Sequence, residues 1–398
     1  MAKRILIVNK FYYSRGGDCI YALNLERMLQ QHGYEVAVFS MQYPENEDSR
    51  YDRYFAPQVD FAGGIGAKIA AVKRILGVGD VVARFKQLLS DFKPDVVHLN
   101  NIHSYLSPVV GEIAKKAGCR VVWTLHDYKL LCPSYACLRN GESCELCFTD
   151  KSSVLRTRCM KGSLAASAVA YVEALCWNRE RLERFTDAFI CPSAFMRQKM
   201  LAGGFSDDKL KVVCNFIDPV KMEQLSGIDC TQKEDYYAYV GRLSPEKGVE
   251  TLLKAAKRLP YKLKVAGGGP LSADLKAKYA DYNIEFLGHV GAVSISKIVA
   301  NARFIVQPSE CYENNPLSVI EALCAGTPVV GARIGGIPEL VTAERGLTYT
   351  PKSVEELSQC ISKMMISGCY DSAKIAADSR IRFSAETHLH LLEEVYWA

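Results

Sequence analysis

No stretch of this 398-residue chain approaches the roughly 18 consecutive apolar residues that a membrane-crossing helix needs. The opening residues, MAKRILIVNKF, offer only Ile5 to Val8 before Asn9 and Lys10. That is far too short for a secretory leader, so a first β-strand is expected there. There is no low-complexity segment and no short-period repeat. Charge is nearly balanced, with a net excess of only +5. Such a balance argues against nucleic acid as a partner and leaves room for anionic substrates or an anionic membrane surface.

What is present bounds the answer from the other side. Hydrophobic residues make up 49% and charged residues 23%, the composition of a soluble globular protein. The length exceeds one ordinary core, so two domains are expected. Fifteen cysteines without a leader point to a reducing cytoplasm, with the thiols free or ligating metal.

Strand and helix signals alternate along the first half. Arg4–Val8, Glu35–Ser40, Asp95–Leu99, Arg120–Leu125 and Ala188–Cys191 read as strands, with helical spacing over Tyr21–His32 and Val109–Ala117. The same grammar restarts at Tyr236–Val240 and Val249–Arg258. It continues through Leu263–Ala266, Ile284–Leu287, Phe304–Gln307, Pro328–Val330 and Leu347–Thr350. This predicts an α/β protein of two Rossmann-like, doubly wound domains that face a cleft, with ligands at the carboxyl ends of the strands. The pattern breaks between Val213 and Gly227, at NFIDPV. The expected division is an N-terminal domain over 1–215, a C-terminal domain over 216–378, and a last helix over 379–398 that packs back on the first domain.

Several glycines and charges fall where strands end. Gly16 and Gly17 follow the first strand and precede a helix, where bare backbone and a helix N-terminus favour an anion. YVGRLSPEKG, Tyr239 to Gly248, puts Arg242 and Lys247 on one turn, able to grip two linked phosphates as a planar fork and a point charge. Gly267 to Gly269 and the turn Gly288 to Val290 close two further strands, and the latter could hold a flat base through its main chain. QPSECYENNPLSVIEALCAGTPVV then carries Glu313 and Glu321 with seven residues between them. Asn315, Pro316 and Leu317 would form the entry to a helix whose N–H groups meet a sugar or phosphate oxygen. Glu313 lies before that helix and Glu321 about two turns further along the chain. Both are better placed to accept hydrogen bonds from hydroxyls than to act as an acid/base couple.

This set resembles the retaining GT-B glycosyltransferases of the fourth family. The Glu-x7-Glu stretch, the Gly-Arg-x4-Lys-Gly segment and the GTPVV-x4-GGIPE tail from Gly326 to Glu339 carry the likeness. In the first half it extends to the Gly-Gly turn, HLNNIH (His98 to His103) and WTLHDY (Trp123 to Tyr128). The resemblance implies a nucleotide-diphosphate sugar held by the C-terminal domain and an acceptor held by the N-terminal one. It implies that Arg242 and Lys247 neutralise the leaving diphosphate, Glu313 holds the donor sugar and Glu321 the ribose. Gly16, Gly17, Gly268, Gly288, Val290, Asn315, Pro316 and Leu317 would complete the donor contacts, with His126 beside the donor sugar. Transfer with retention by front-face attack needs no strong side-chain base. The chain has no Asp-x-Asp motif, so the expected mechanism is metal-independent, with no cofactor for catalysis.

Two segments lie outside this pattern. Phe61–Leu89 mixes apolar residues at helical spacing with Lys68, Lys73, Arg74, Arg84 and Lys86, broken by Gly77 and Gly79. It reads either as surface helices packed on the sheet or as a peripheral contact with the inner face of an anionic membrane. The second segment, 132–159, concentrates Cys132, Cys137, Cys144, Cys147 and Cys159. Cys137, Cys144, Cys147 and Cys159 could hold a structural zinc; free thiols, a cluster or a disulfide are the alternatives. The functional expectation is sugar transfer to a glycan or lipid-linked acceptor in surface polysaccharide or glycolipid synthesis. A non-hydrolysing sugar-nucleotide epimerase and a non-catalytic nucleotide-sugar-binding protein are the rivals.

Overall fold

The computed structural model describes residues 3–61, 63–367 and 370–398. Its contacts divide into two compact units, Met1–Cys137 with Cys144–Val213 and Leu389–Ala398, and Leu138–Ser143 with Cys214–His388. The chain therefore changes unit between Val213 and Cys214, and again within its last helix, Ala385–Tyr396.

The first unit is built on six parallel strands: β1 (Arg4–Val8), β2 (Glu35–Phe39), β3 (Val96–Leu99), β4 (Arg120–Thr124), β7 (Ala188–Cys191) and β8 (Leu210–Val212), in the order β2-β1-β3-β4-β7-β8. A short antiparallel hairpin, β5 (Leu138–Arg139) and β6 (Glu142–Ser143), interrupts the series and belongs to the second unit. Strands such as Ile5–Val8 and Val121–Trp123 are apolar on both faces because helices cover the sheet from both sides. The sequence reading missed β8, whose Lys211 and Val212 are exposed on the sheet edge and give no apolar run.

The last residues complete this unit. Tyr396 Oη lies 2.5 Å from His98 Nδ1, while His98 Nε2 lies 2.7 Å from Thr124 Oγ1. His98 is fully buried and braces β3, β4 and the terminal helix.

Phe61–Leu89 forms two helices, Ile65–Ile75 and Asp80–Phe92, separated by Gly77 and Gly79, both at positive φ. Ala62 lies outside the described residues. Val81, Phe85, Leu88 and Leu89 are core, and Phe85 packs edge-on against Phe39 at 5.0 Å. Arg74 is buried and donates to the carbonyls of Tyr105 and Pro57. Most of this segment's apolar face is thus packed on the sheet.

The second unit repeats the design with β9 (Tyr236–Val240), β10 (Lys262–Ala266), β11 (Ile284–Gly288), β12 (Ile305–Gln307), β13 (Val329–Ala332) and β14 (Gly346–Tyr349). All are parallel, in the order β11-β10-β9-β12-β13-β14. The order reverses direction around β9 and β12, the switch point where loops diverge at the carboxyl edge and leave a crevice.

Candidate active site

The turns after β9 and β12 carry the candidate groups of the second unit. After β9 the chain enters a short 3-10 turn, Pro245–Lys247, and then the helix Val249–Ala256. Gly248 joins them at φ +64, and a Cβ there would lie 1.9 Å from Pro308 O. Only glycine allows the turn to press against the segment after β12, which is how Lys247 reaches Glu313. Lys247 Nζ donates to Glu313 Oε1 at 2.6 Å. Burial lowers the affinity of Lys247 for its proton, but the facing carboxylate of Glu313 outweighs it and raises the pKa, so the ammonium stays charged. Arg242 stands exposed on the same turn.

Glu313 is the centre of a polar chain. Ser309 Oγ donates to its Oε1 at 2.6 Å, Gln307 Nε2 donates to Ser309 Oγ at 3.0 Å, and Ser318 Oγ donates to Gln307 Oε1 at 3.0 Å. Its main chain is fixed as well, because Gly336 N donates to Glu313 O at 2.7 Å. Gly335, at φ +62, leaves no room for a side chain: a Cβ would lie 2.1 Å from Glu313 O. The tail motif Gly326 to Glu339 therefore shapes the loop that aims the first glutamate. Glu310 turns away and accepts from Thr251 Oγ1.

Pro316 caps the helix Leu317–Cys324, on which Glu321 sits. Asn315 is buried and serves the scaffold: its Oδ1 and its carbonyl accept from Asn215 N and Asn215 Nδ2, at 2.9 and 2.8 Å. Glu321 is half-buried, with Lys221 Nζ 3.6 Å from its Oε2. Burial pushes the Glu321 carboxyl up, and Lys221 opposes the rise. Lys221 also donates to Ala292 O at 3.5 Å, just beyond the turn holding Gly288 and Val290. Nothing in the local sequence singles out Lys221, which lies a hundred positions from its partner.

The glycine turn after β10 has an internal reason. A Cβ on Gly267 would meet Gly241 O at 2.0 Å, one on Gly269 would meet Leu243 O at 2.4 Å, and one on Gly268 would meet His289 Nε2 at 2.6 Å. These glycines let three strand-end turns close against each other. Gly288 is different: it is exposed, with nothing within 4 Å of its Cβ position.

The first unit contributes a second constellation at the ends of β1, β3 and β4. Gly16 caps the helix Gly17–Gln31 in extended backbone, and Asp18 occupies its first turn. Asp18 accepts from Asn101 Nδ2 at 2.6 Å and lies 3.8 Å from Lys10 Nζ. Burial raises its carboxyl, but Lys10, His126 and Asn101 together hold it below the ordinary value. His126 Nε2 lies 2.9 Å from Asn100 Oδ1, with Tyr21 edge-on to the ring at 4.9 Å. Burial pulls the imidazole down to about 4, so it is neutral at physiological pH.

In the cysteine insert the thiols of Cys137 and Cys147 donate to Cys132 and hold its thiol well below the usual range. Cys144 and Cys159 are not part of that contact, and Cys159 pairs with Thr157 Oγ1 at 2.9 Å. Among the described residues no group of three or more His, Cys, Asp or Glu side chains is arranged to hold a metal ion. Of the four cysteines expected as zinc ligands, Cys137 and Cys147 meet at Cys132, while Cys144 lies near enough to Cys137, and Cys159 to Cys147, to raise those thiols.

Two parallel six-stranded sheets, with charged and glycine-rich turns at their carboxyl edges, define a GT-B glycosyltransferase fold. Solved structures share it. Sucrose-phosphate synthase from Thermosynechococcus elongatus superposes with a TM-score of 0.67, at 18% identity, over 99% of this chain and 98% of that one. Anabaena HepE in complex with UDP and glucose gives a TM-score of 0.65, at 18% identity, over 99% of both chains. The description Glycosyltransferase Family 4 matches residues 15–221, and Glycosyl transferases group 1 matches residues 225–379. The chain belongs to this family of group 1 glycosyltransferases. An uncharacterized protein of 42.6 kDa in the cps region of Klebsiella pneumoniae is 27% identical over 352 residues, 84% of this chain and 87% of its own.

Proposed function

We propose that this glycosyltransferase moves a sugar, with retention of configuration, from a nucleotide-diphosphate sugar to a glycan or lipid-linked acceptor in surface polysaccharide or glycolipid synthesis. The observation that carries the reading is the Lys247–Glu313–Ser309 chain, with a second carboxylate, Glu321, on the helix that follows. A carboxylate and an ammonium fixed 2.6 Å apart suit a ligand that offers hydroxyls to one and phosphate oxygens to the other.

In this mechanism Lys247 and Arg242 meet the charge that develops as the diphosphate leaves. Glu313 orients the donor sugar, and the first N–H groups of the helix beginning at Leu317 face the phosphates. Glu321, whose charged form Lys221 favours, accepts from the ribose hydroxyls, with Gly288 and Val290 bearing on the base. Neutral His126 offers a hydrogen bond without a charge that would compete for the diphosphate. The UDP seen with Anabaena HepE supports a nucleotide donor, and the cps-region relative supports a polysaccharide product. Such an enzyme would work in the cytoplasm, at the membrane face that presents the acceptor. Among the described residues no helix is long and apolar enough to cross a membrane.

The test is a panel of nucleotide sugars scored by thermal stabilisation. A cleft ligand at about 100 times its dissociation constant adds roughly 2.7 kcal/mol. The stabilising donor is then supplied with glycan acceptors, and the anomeric configuration of the product is read by NMR. Glu321→Gln should raise the donor KM with little change in kcat. A donor sugar interconverted without any acceptor would overturn the reading in favour of isomerisation.

A further inference from the structure

The helix Leu164–Cys176 is built inside out. Its residues are apolar except Ser167 and Glu173, and those two are buried. Ser167 Oγ accepts from Met160 N, while Glu173 accepts from Ser104 N and Oγ and pairs with Lys129 at 2.9 Å. The polar groups are therefore satisfied inward. Leu164, Val172 and Leu175 point outward, 55%, 47% and 50% exposed. With Ala168 they follow helical spacing and share one side. A helix facing only water would present the opposite pattern.

A second set of exposed apolar residues lies on the helix that this one meets at its end. Trp177, directly after it, donates from Nε1 to Ile75 O at 2.8 Å, joining it to the end of the helix Ile65–Ile75. Exposed Ile69 lies on that helix, and exposed Leu76 and Val78 just after its end. The exposed charges nearby are mostly basic: Lys68 and Lys73 on that second helix, Arg158 and Lys161 just before the first and Arg179 just after it, against the acidic Asp80 and Glu180. The outward face of Leu164–Cys176 carries no acidic residue.

We infer that this face, helix Leu164–Cys176 extended by the end of Ile65–Ile75, seats the protein on an anionic lipid bilayer. The inference rests on the reading that the acceptor is lipid-linked, and it names the surface that would meet it. Charge complementarity chooses this occupant. A second copy set against the stripe would bring like charges together at its rim, whereas anionic headgroups neutralise them and leave the stripe in the acyl boundary. The segment Phe61–Leu89, which the sequence points to, supplies only its exposed end, because Arg74 and the Asp80–Phe92 helix are committed to the core.

The test is flotation of the full chain with vesicles of phosphatidylcholine and phosphatidylglycerol in equal parts, and with phosphatidylcholine alone. Wild-type protein should float with the anionic vesicles at low salt, less so as salt rises, and remain in the aqueous fraction with neutral ones. Arg158→Glu with Lys161→Glu should weaken partition by about fivefold for each basic residue lost. Val172→Glu with Leu175→Glu should abolish it. All these positions are exposed, so circular dichroism and stabilisation by the nucleotide-sugar donor should match wild type. Wild-type protein left wholly in the aqueous fraction, or flotation unchanged by Val172→Glu with Leu175→Glu, would overturn the inference. So would a lipid-free dimer that the same pair dissolves. Flotation by a chain that transfers no sugar would support this face and sink the transferase reading, so the two failures are distinguishable.

Discussion

Lys247→Met removes an ammonium that stands 2.6 Å from Glu313 Oε1 and keeps most of the side-chain length. Glu313 would then lie in a place only 11% exposed, with Ser309 Oγ as its near donor and Gln307 Nε2 at 3.4 Å. Breaking a fully buried pair costs about 3–5 kcal/mol. The Lys247 side chain is 31% exposed, so water can enter behind it, and the expected loss of stability falls to about 1–2 kcal/mol. Turnover should fall much further, by about 3–4 kcal/mol of transition-state stabilisation, because the charge matters most as the diphosphate departs. Urea titration reads the first quantity and kcat the second. Adding Glu313→Gln separates them: a neutral amide beside Ser309 leaves no buried carboxylate, so stability should recover while kcat stays low. Recovery of kcat in the double variant would refute the reasoning, since Lys247 would then only neutralise Glu313.

Gly335→Ala should cost about 1–2 kcal/mol for the left-handed backbone and, in addition, displace the Glu313 loop that its Cβ would strike, so kcat/KM should collapse. Gly118→Ala, at φ +86 with nothing near, should show the backbone cost alone, and equal kinetics for the two would contradict the close-approach argument. His388 is buried, stacked on Phe216 at 4.4 Å, with Nδ1 2.8 Å from Cys214 O, and burial pulls it down to about 3. The unfolded chain binds this proton near pH 6.5 and the folded one near 3, so the stability it contributes is present above pH 6.5 and lost as pH falls towards 3. The loss is about 2 kcal/mol by pH 5. Urea midpoints of wild type and His388→Phe should therefore converge on acidification, and a constant difference would contradict the assignment.

The alternation of apolar runs with helical spacing was enough to determine eleven parallel strands, because strands covered on both faces must be apolar throughout. Motif spacing likewise placed Lys247, Glu313 and Glu321 at strand and helix ends, since the glycines there report local backbone geometry. β8 escaped because an exposed edge strand needs no apolar run. Contacts across long separations were decided only by the tertiary structure. Lys221 meets Glu321, Cys132 meets both Cys137 and Cys147, and Asn315 turns to Asn215. The helix Leu164–Cys176 makes the same point on the surface. Its sequence is apolar apart from Ser167 and Glu173, yet Glu173 finds Lys129 and Ser104 inward, and that pairing turns Val172 and Leu175 to the outside. Local sequence fixes which residues share a helix face; only the partners available in the folded unit decide which face is buried.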